Sequence, residues 1–346
     1  MSLSELLRST LCKKFPRGTD DSPLKMKMMG SAYDYYSLSK IDKDPDDLFE
    51  KTHGFFEEVL EMMESENLSQ ARKTAYEEHS IDTMGAMIFG SNMIEKAGSS
   101  ENITQKLCKD IFAGVPVASE IPLTHPDCLA MLTHILRQNR PATHKSINHS
   151  RIEVTQHATA WTYLLSSLLS GPLTESHLRT AHLILCADLP LNDHTPYAGL
   201  YRLISVHAGL NSFPPYTSVP ALMRTLVYDY NAAIDLAKTV GFLDPFALAA
   251  EFGHRFVNIH PFVDGNGRVC RMLMNAILFC YAGVVVPLGE TEEGRGAYLG
   301  VVVRASEGEG VREEGGKKAW AELSSLLVLE ACGRFGKLRD KLRAVD

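Results

Sequence analysis

The segment His260-Pro261-Phe262-Val263-Asp264-Gly265-Asn266-Gly267-Arg268-Val269-Cys270-Arg271 decides how this chain is read. It gathers a titratable imidazole, a carboxylate suited to hard cations, a Gly-Asn-Gly turn and two arginines without a gap. Helical patterns flank it on both sides. Upstream, Asp244-Pro245 is an N-cap followed by proline at the first helical position, and predicts a helix to about Val257. Downstream, Met272, Leu273, Ala276, Ile277 and Cys280 keep helical spacing from an opening at Gly267 or Arg268 to a stop at Gly283. The segment is therefore a loop that leads directly into a helix.

That placement gives each residue a chemistry. Successive N–H groups in a Gly-Asn-Gly turn form a concavity for anions, reinforced by the helix N-terminus. Arg268 and Arg271 lie three apart, so both guanidinium groups can project from one face of the first turn and bind phosphate oxygens in planar, bidentate fashion. Asp264 can offer one oxygen to a Mg²⁺ that keeps its waters and bridges phosphates. His260, at the mouth of the loop, can take a proton from an attacking hydroxyl. Phe262 pins the loop into the core and Pro261 stiffens it. Singly, each piece has a plainer explanation as a turn, a structural histidine or a solvated helix face. Their joint occurrence in order points to nucleotide triphosphate chemistry.

Working outward, most of the chain has helical periodicity. Helices are predicted over 46–66, 68–78, 79–96, 101–113, 157–169, 173–188 and 219–240, with Gly98-Ser99-Ser100 and Gly171-Pro172 as stops. Beyond Pro287, residues 294–306 and 317–342 are predicted helical, joined by the Glu- and Gly-rich stretch 307–316, read as a mobile linker. One stretch, Gly199 to Gly209, alternates like a strand, and Asn211 to Pro215 follows as a turn, which predicts a short hairpin.

The 346 residues carry 45% apolar side chains and a formal net charge of -7, enough to bury a substantial core. The sequence pI near 6.0 speaks against a dedicated nucleic-acid binder, and no apolar run approaches the ~18 residues of a membrane span. The seven cysteines are scattered without zinc-ligand spacing, consistent with a reducing cytoplasmic or nuclear compartment. Residues 1–18 hold Arg8, Lys13, Lys14 and Arg17 against Glu5 alone, a pattern open to a weak presequence or an ordinary N-terminal helix. Sequons stand at Asn67, Asn102 and Asn148, but no signal peptide accompanies them.

The segment 260–271 resembles, residue for residue, the motif of the Fic family, His-Pro-Phe-x-Asp/Glu-Gly-Asn-Gly-Arg-x-x-Arg. The similarity extends through His254–Gly283 and to Gly199–Met223, where Tyr201-Arg202, Val206, Gly209 and Pro214-Pro215 stand at the places of the family's flap; in all it covers roughly residues 80 to 305. The resemblance implies an all-α protein, a Fic-type helical core with a short β-hairpin flap, that transfers AMP from ATP to a protein hydroxyl with Mg²⁺ or Mn²⁺. It implies His260 as base and Asp264 as metal ligand. Gly265, Asn266 and Gly267 would receive the α-phosphate, Arg268 and Arg271 the β- and γ-phosphates, and Tyr298 the adenine. Residues Tyr201, Arg202, Leu203, Ile204, Ser205, Val206 and His207 would register a target segment by strand addition. Gly267 matters, because relatives that phosphorylate carry lysine there.

Ser91-Asn92-Met93-Ile94-Glu95 resembles the family's inhibitory helix, with Ser91 and Glu95 four apart on one helix face, implying that Glu95 pairs with Arg271, removes it from the γ-phosphate and blocks productive ATP binding. The sequence departs from that motif at Lys96, where relatives carry Gly or Asn, residues that accept a left-handed helix end. The implied organisation is an N-terminal helical extension (1–75), a Fic domain (76–290) with the inhibitory helix at about 80–97, and a C-terminal helical segment (291–346). AMP removal, a self-modifying reaction and a homodimer are further implications; no nucleic acid or membrane partner is implied. The alternatives are transfer of another phosphate-containing group (UMP, phosphocholine) and a non-catalytic ATP-binding regulator.

Overall fold

The computed structural model describes residues 2–11, 24–64, 68–189, 196–208, 211–307 and 318–345. In chain order the helices are α1 (Leu3–Leu11), α2 (Tyr35–Ser39), α3 (Pro45–Glu64), α4 (Gln70–Ile94), α5 (Glu101–Phe112), α6 (Cys128–Arg137) and α7 (His144–Ser170). They continue with α8 (Glu175–Cys186), α9 (Val219–Val240), α10 (Pro245–Ile259), α11 (Asn266–Ala282), α12 (Glu292–Glu307) and α13 (Ala321–Arg343). The strands β1 (Lys25–Met26), β2 (His207–Ala208), β3 (Asn211–Ser212) and β4 (Phe242–Leu243) are two residues each. The fold is all-α with a short hairpin, as the sequence predicts.

The centre of the protein is α11, which follows the motif. It is apolar nearly all round, with Val269, Met272, Leu273, Ala276 and Ile277 buried, the pattern of a helix enclosed by neighbours. Helices α10, α7, α4 and α8 pack against it. The approach to α10 is close: a Cβ on Gly253 would collide with Met274, and the Cys270 thiol donates to the Gly253 carbonyl.

The start of α10 is clamped by the N-terminal region. Asp244 caps the helix by accepting from the Phe246 and Ala247 N–H groups, and it also accepts from Met29 N–H and Tyr33 Oη at 2.8 and 2.9 Å. Burial pushes its carboxyl up to about 6, although these four donors oppose the shift. Beside it, β1 and β4 pair in parallel, Lys25 with Phe242 and Met26 with Leu243, a pairing absent from the sequence prediction. Helix α3 packs along α13.

Several predicted elements change in extent. The stretches 68–78 and 79–96 are one continuous helix, α4, capped by Ser69, because nothing between Glu78 and His79 interrupts the backbone ladder. Helix α7 begins at His144 rather than His157, where the Thr143 hydroxyl accepts from Ser146 N–H at 3.1 Å. Helix α6 was not predicted. The predicted linker beyond Glu307 lies outside the described residues.

The strand predicted over 199–209 is mostly not a strand. Among the described residues of that stretch only His207–Ala208 pairs, antiparallel, with Asn211–Ser212, so part of the predicted turn is the return strand. Within 200–206, Arg202 bonds instead to the 259–261 backbone and to Pro214.

Candidate active site

The site begins where α10 stops. His260 is its C-cap, in the left-handed region at φ 49° and ψ 60°, with its N–H on the Phe256 carbonyl. Imidazole Nδ1 donates to the Val257 carbonyl at 3.2 Å, which leaves Nε2 with its lone pair. The ring lies parallel to Phe213, centroids 3.9 Å apart. Burial lowers its pKa below 6.5; the Val257 bond opposes that shift and Arg202 adds to it.

The loop after it holds its shape through Asn266. The side-chain oxygen accepts from Phe262 N–H and the amide donates to the Phe262 carbonyl, both at 2.9 Å. The polar atoms of the Asn266 side chain are thus spent on the loop, and it is its backbone N–H that can face an anion. Gly265 precedes it as a left-handed N-cap without a side-chain cap bond. The first intrahelical bond there runs from Val269 N–H to Gly265, so the N–H groups of 266–268 form the open end of α11.

Two buried guanidinium groups border that end. Arg268 donates to Asp264 Oδ2 at 3.2 Å, and its buried Nε–H has no partner among the described residues. Arg271, with a side chain only 3% exposed, donates through Nε to Ser91 Oγ at 2.8 Å and through NH2 to Ser91 O at 3.0 Å and Glu95 Oε1 at 2.7 Å. A Cβ on Gly267 would collide with the Glu95 carboxylate. Glu95 thus stands at the mouth of the nest, an anion where the motif predicts one. Burial pushes its pKa up, but Arg271, Arg268 and Arg295 outweigh burial and hold it below the usual value. The same pair holds Arg271 above its ordinary value against the opposing effect of burial.

Glu95 is thus paired with Arg271, and Ser91 bonds to the same guanidinium. Lys96 does not prevent this. It takes φ 53°, and its N–H bonds to Met93 O while Ala97 N–H bonds to Asn92 O, a complete Schellman end with lysine in the position that favours glycine. Tertiary bonds impose that turn. Arg295 Nε donates to Ile94 O, Arg140 to Lys96 O, and Gly98 N–H to Glu153 at 2.8 Å. Deeper in, His157 Nδ1 donates to Asn92 Oδ1, fixing α4 to α7.

The Asp264 carboxylate is more than half exposed. Among the described residues no group of three His, Cys, Asp or Glu side chains could hold a metal. One exposed carboxylate beside an open helix N-terminus fits Mg²⁺ shared with phosphate oxygens, and does not fit a site built from protein ligands alone.

The flap residues divide. Leu203 is 79% exposed, and Leu200, Ile204, Ser205 and His207 are exposed with it, while Val206 is half-buried. Arg202 is buried and turned inward, contrary to the expectation that it registers a target. Tyr201 packs on Phe262, centroids 5.7 Å apart. Tyr298 is 3% exposed with the Arg271 guanidinium 5.7 Å over its ring, so no ring face is open to adenine in this arrangement. Sequence reasoning missed His182. It stacks on Phe262 at 3.7 Å, accepts from Gly199 N–H and donates from Nε2 to the Asp264 carbonyl at 2.9 Å. Only its place on an otherwise apolar helix face hinted at it.

Against known families, residues 172–278 match the Fic/DOC family. A Fido domain-containing protein of Dictyostelium discoideum is 42% identical over 83 residues, covering 24% of this chain and 55% of that protein. A protein adenylyltransferase Fic of Nematostella vectensis is 28% identical over 247 residues, covering 71% of this chain and 45% of that protein. The chain thus spans about half the length of these curated relatives. Among solved structures, a Fic domain containing signaling protein from Bacteroides thetaiotaomicron superposes with a TM-score of 0.57 at 20% identity, covering 87% of this chain and 98% of that one. Fic-1 from C. elegans also gives 0.57, at 18% identity, covering 89% and 73%. These two likenesses concern the fold.

Proposed function

The chain belongs to the Fic/DOC family, and on that footing we propose that it is a protein adenylyltransferase restrained by its own Glu95. It transfers AMP from Mg-ATP to a Ser, Thr or Tyr hydroxyl of a protein, itself included. The observation that carries the proposal is the pairing of a free imidazole nitrogen with an open helix N-terminus across a loop braced by Asn266.

In the transfer, the target hydroxyl gives its proton to His260 Nε2 as its oxygen bonds to the α-phosphorus. The bond from that phosphorus to the bridging oxygen breaks, and pyrophosphate leaves with the electron pair. The neutral form of the imidazole, favoured by burial, is the one the step needs. The N–H groups of 266–268 receive phosphate oxygens, Arg268 and Arg271 neutralise the leaving group, and the loop brace keeps them in place before substrate arrives. Mg²⁺, held by Asp264 and the phosphates, would supply further charge neutralisation.

Glu95 opposes this arrangement in two ways: it occupies the approach to Gly267 and it binds Arg271. The same carboxylate, close to the nest, could orient water for removal of AMP from a modified hydroxyl. No helix among the described residues is long and apolar enough to cross a membrane.

The test is a panel of labelled nucleotides and a phosphocholine donor offered with Mg²⁺ to the wild type, Glu95→Gly and Glu95→Gly/His260→Ala. Label from the α-phosphate of ATP should appear on protein with Glu95→Gly and vanish with the added His260→Ala. Label from another donor in its place would favour the alternative transferases, and ATP binding without any transfer would favour a regulator.

A further inference from the structure

Arg202 is 1% exposed, yet no carboxylate among the described residues pairs with it. A buried guanidinium must satisfy its donors elsewhere. Here all the acceptors are backbone carbonyls. Nε donates to His260 O at 2.7 Å, NH1 to Ile204 O at 3.0 Å, and NH2 to Pro214 O at 2.6 Å and Ile259 O at 3.4 Å. The Arg202 N–H adds a bond to Pro261 O at 2.9 Å. One residue thus binds three successive carbonyls at the base, 259 to 261, and both limbs of the flap, through Ile204 and Pro214.

Those carbonyls belong to a strained place. His260 holds φ 49°, a left-handed conformation that is unfavourable for a side-chain-bearing residue and persists only when its surroundings over-determine it. That turn also sets the ring: Nδ1 reaches Val257 O, one turn back on α10, and Phe213, next to Pro214 in the flap, covers its face. The contacts that choose the imidazole tautomer therefore hang on a peptide that Arg202 holds. The same bonds take the Arg202 N–H and the Ile204 carbonyl out of any strand ladder.

We propose that Arg202 is the positioning residue of His260. It crosslinks the flap to the 259–261 backbone, so that the imidazole presents Nε2 outward whenever the flap is in place. A target segment lying on the flap then meets a base already oriented, because flap and base share one guanidinium. Lysine cannot replace it, since a single ammonium cannot span four carbonyls in a planar fork.

Two readouts test this, and only the kinetic one rests on the adenylyl-transfer reading. Nitrogen NMR of the His260 ring in the full chain reports the fraction carrying the proton on Nδ1. Steady-state transfer in the Glu95→Gly background separates kcat from the KM for Mg-ATP. With Arg202→Ala, the Nδ1–H form should give way to a tautomer mixture and kcat should fall about a hundredfold. The KM should stay within about twofold, because the nest at Gly267 is untouched. Arg202→Lys should show a smaller loss of both. If Arg202→Ala fails to melt cooperatively, the Lys variant alone decides. A folded variant that changes only one of the two, or neither, overturns the proposal. If the Glu95→Gly parent itself transfers nothing, the adenylyl-transfer reading fails, and the ring spectrum still decides whether Arg202 positions the base.

Discussion

Removing Glu95 should release a measurable amount of activity, and the geometry sets its size. For a triphosphate to reach both Arg271 and the N–H groups at Gly267, the Glu95 carboxylate has to leave. The main interaction lost is one charge-assisted hydrogen bond of 2.7 Å to a guanidinium that is 3% exposed. Such bonds contribute about 1.5–3 kcal/mol. The carboxylate itself is 37% exposed, so water recovers part of that, and the lower end, roughly 1.5–2 kcal/mol, is the working figure. At 1.36 kcal/mol per decade, Glu95→Gly should raise kcat/KM for Mg-ATP about ten- to thirtyfold. Intact-protein mass spectrometry of self-modification supplies the rate, and calorimetry with ATP supplies the affinity. Glu95→Gln separates charge from bulk: a side chain that still crowds Gly267 without its charge should be released only in part. Ser91→Ala removes one neutral acceptor from Arg271, worth about 1 kcal/mol, and should give only about a fivefold rise. Equal ATP affinity and equal transfer in wild type and Glu95→Gly would refute the reasoning, because the carboxylate would then be no obstacle.

Further outcomes follow from the same contacts. His260→Ala should abolish transfer and leave ATP affinity within about twofold, since the ring touches Phe213 and Val257 and makes no part of the nest. In the Glu95→Gly background, the rate should fall on acidification only below pH 6.5: burial lowers the imidazole pKa, so the neutral base persists to lower pH, and a pH–rate profile checks the limb. Lys96→Gly should stabilise the protein by about 0.5 kcal/mol, the relief of a left-handed lysine less the entropy glycine adds to the unfolded chain, read as a small rise in Tm. Asn266→Ala should reduce kcat and stability together, because the loop loses both Phe262 bonds, and a thermal melt alongside the kinetics distinguishes this from loss of a phosphate contact alone.

The parts legible in the sequence are those whose partners are near in the chain. Asp244-Pro245 announces a helix start because a cap and its N–H groups lie within three residues, and Gly283 ends α11 for the same local reason. The motif loop is legible because base, nest and phosphate arginines fall in one stretch. His182 is not, for its acceptor on Asp264 lies 82 residues away and no local pattern joins them. Arg202 misleads for a related reason. Alternation over 200–206 has the period of a strand, but period 2 does not say whether the backbone finds another strand or a side chain. Lys96 shows the limit of a motif read one residue at a time. Glycine in the family position makes a left-handed turn cheap; here Arg140, Arg295 and Glu153 fix the backbone on either side of Lys96, so the turn is imposed by bonds from α7, α12 and the connection before α7. The end of the helix that carries Glu95 is thus set by tertiary structure, and its hold on Arg271 depends on contacts that the five-residue motif does not contain.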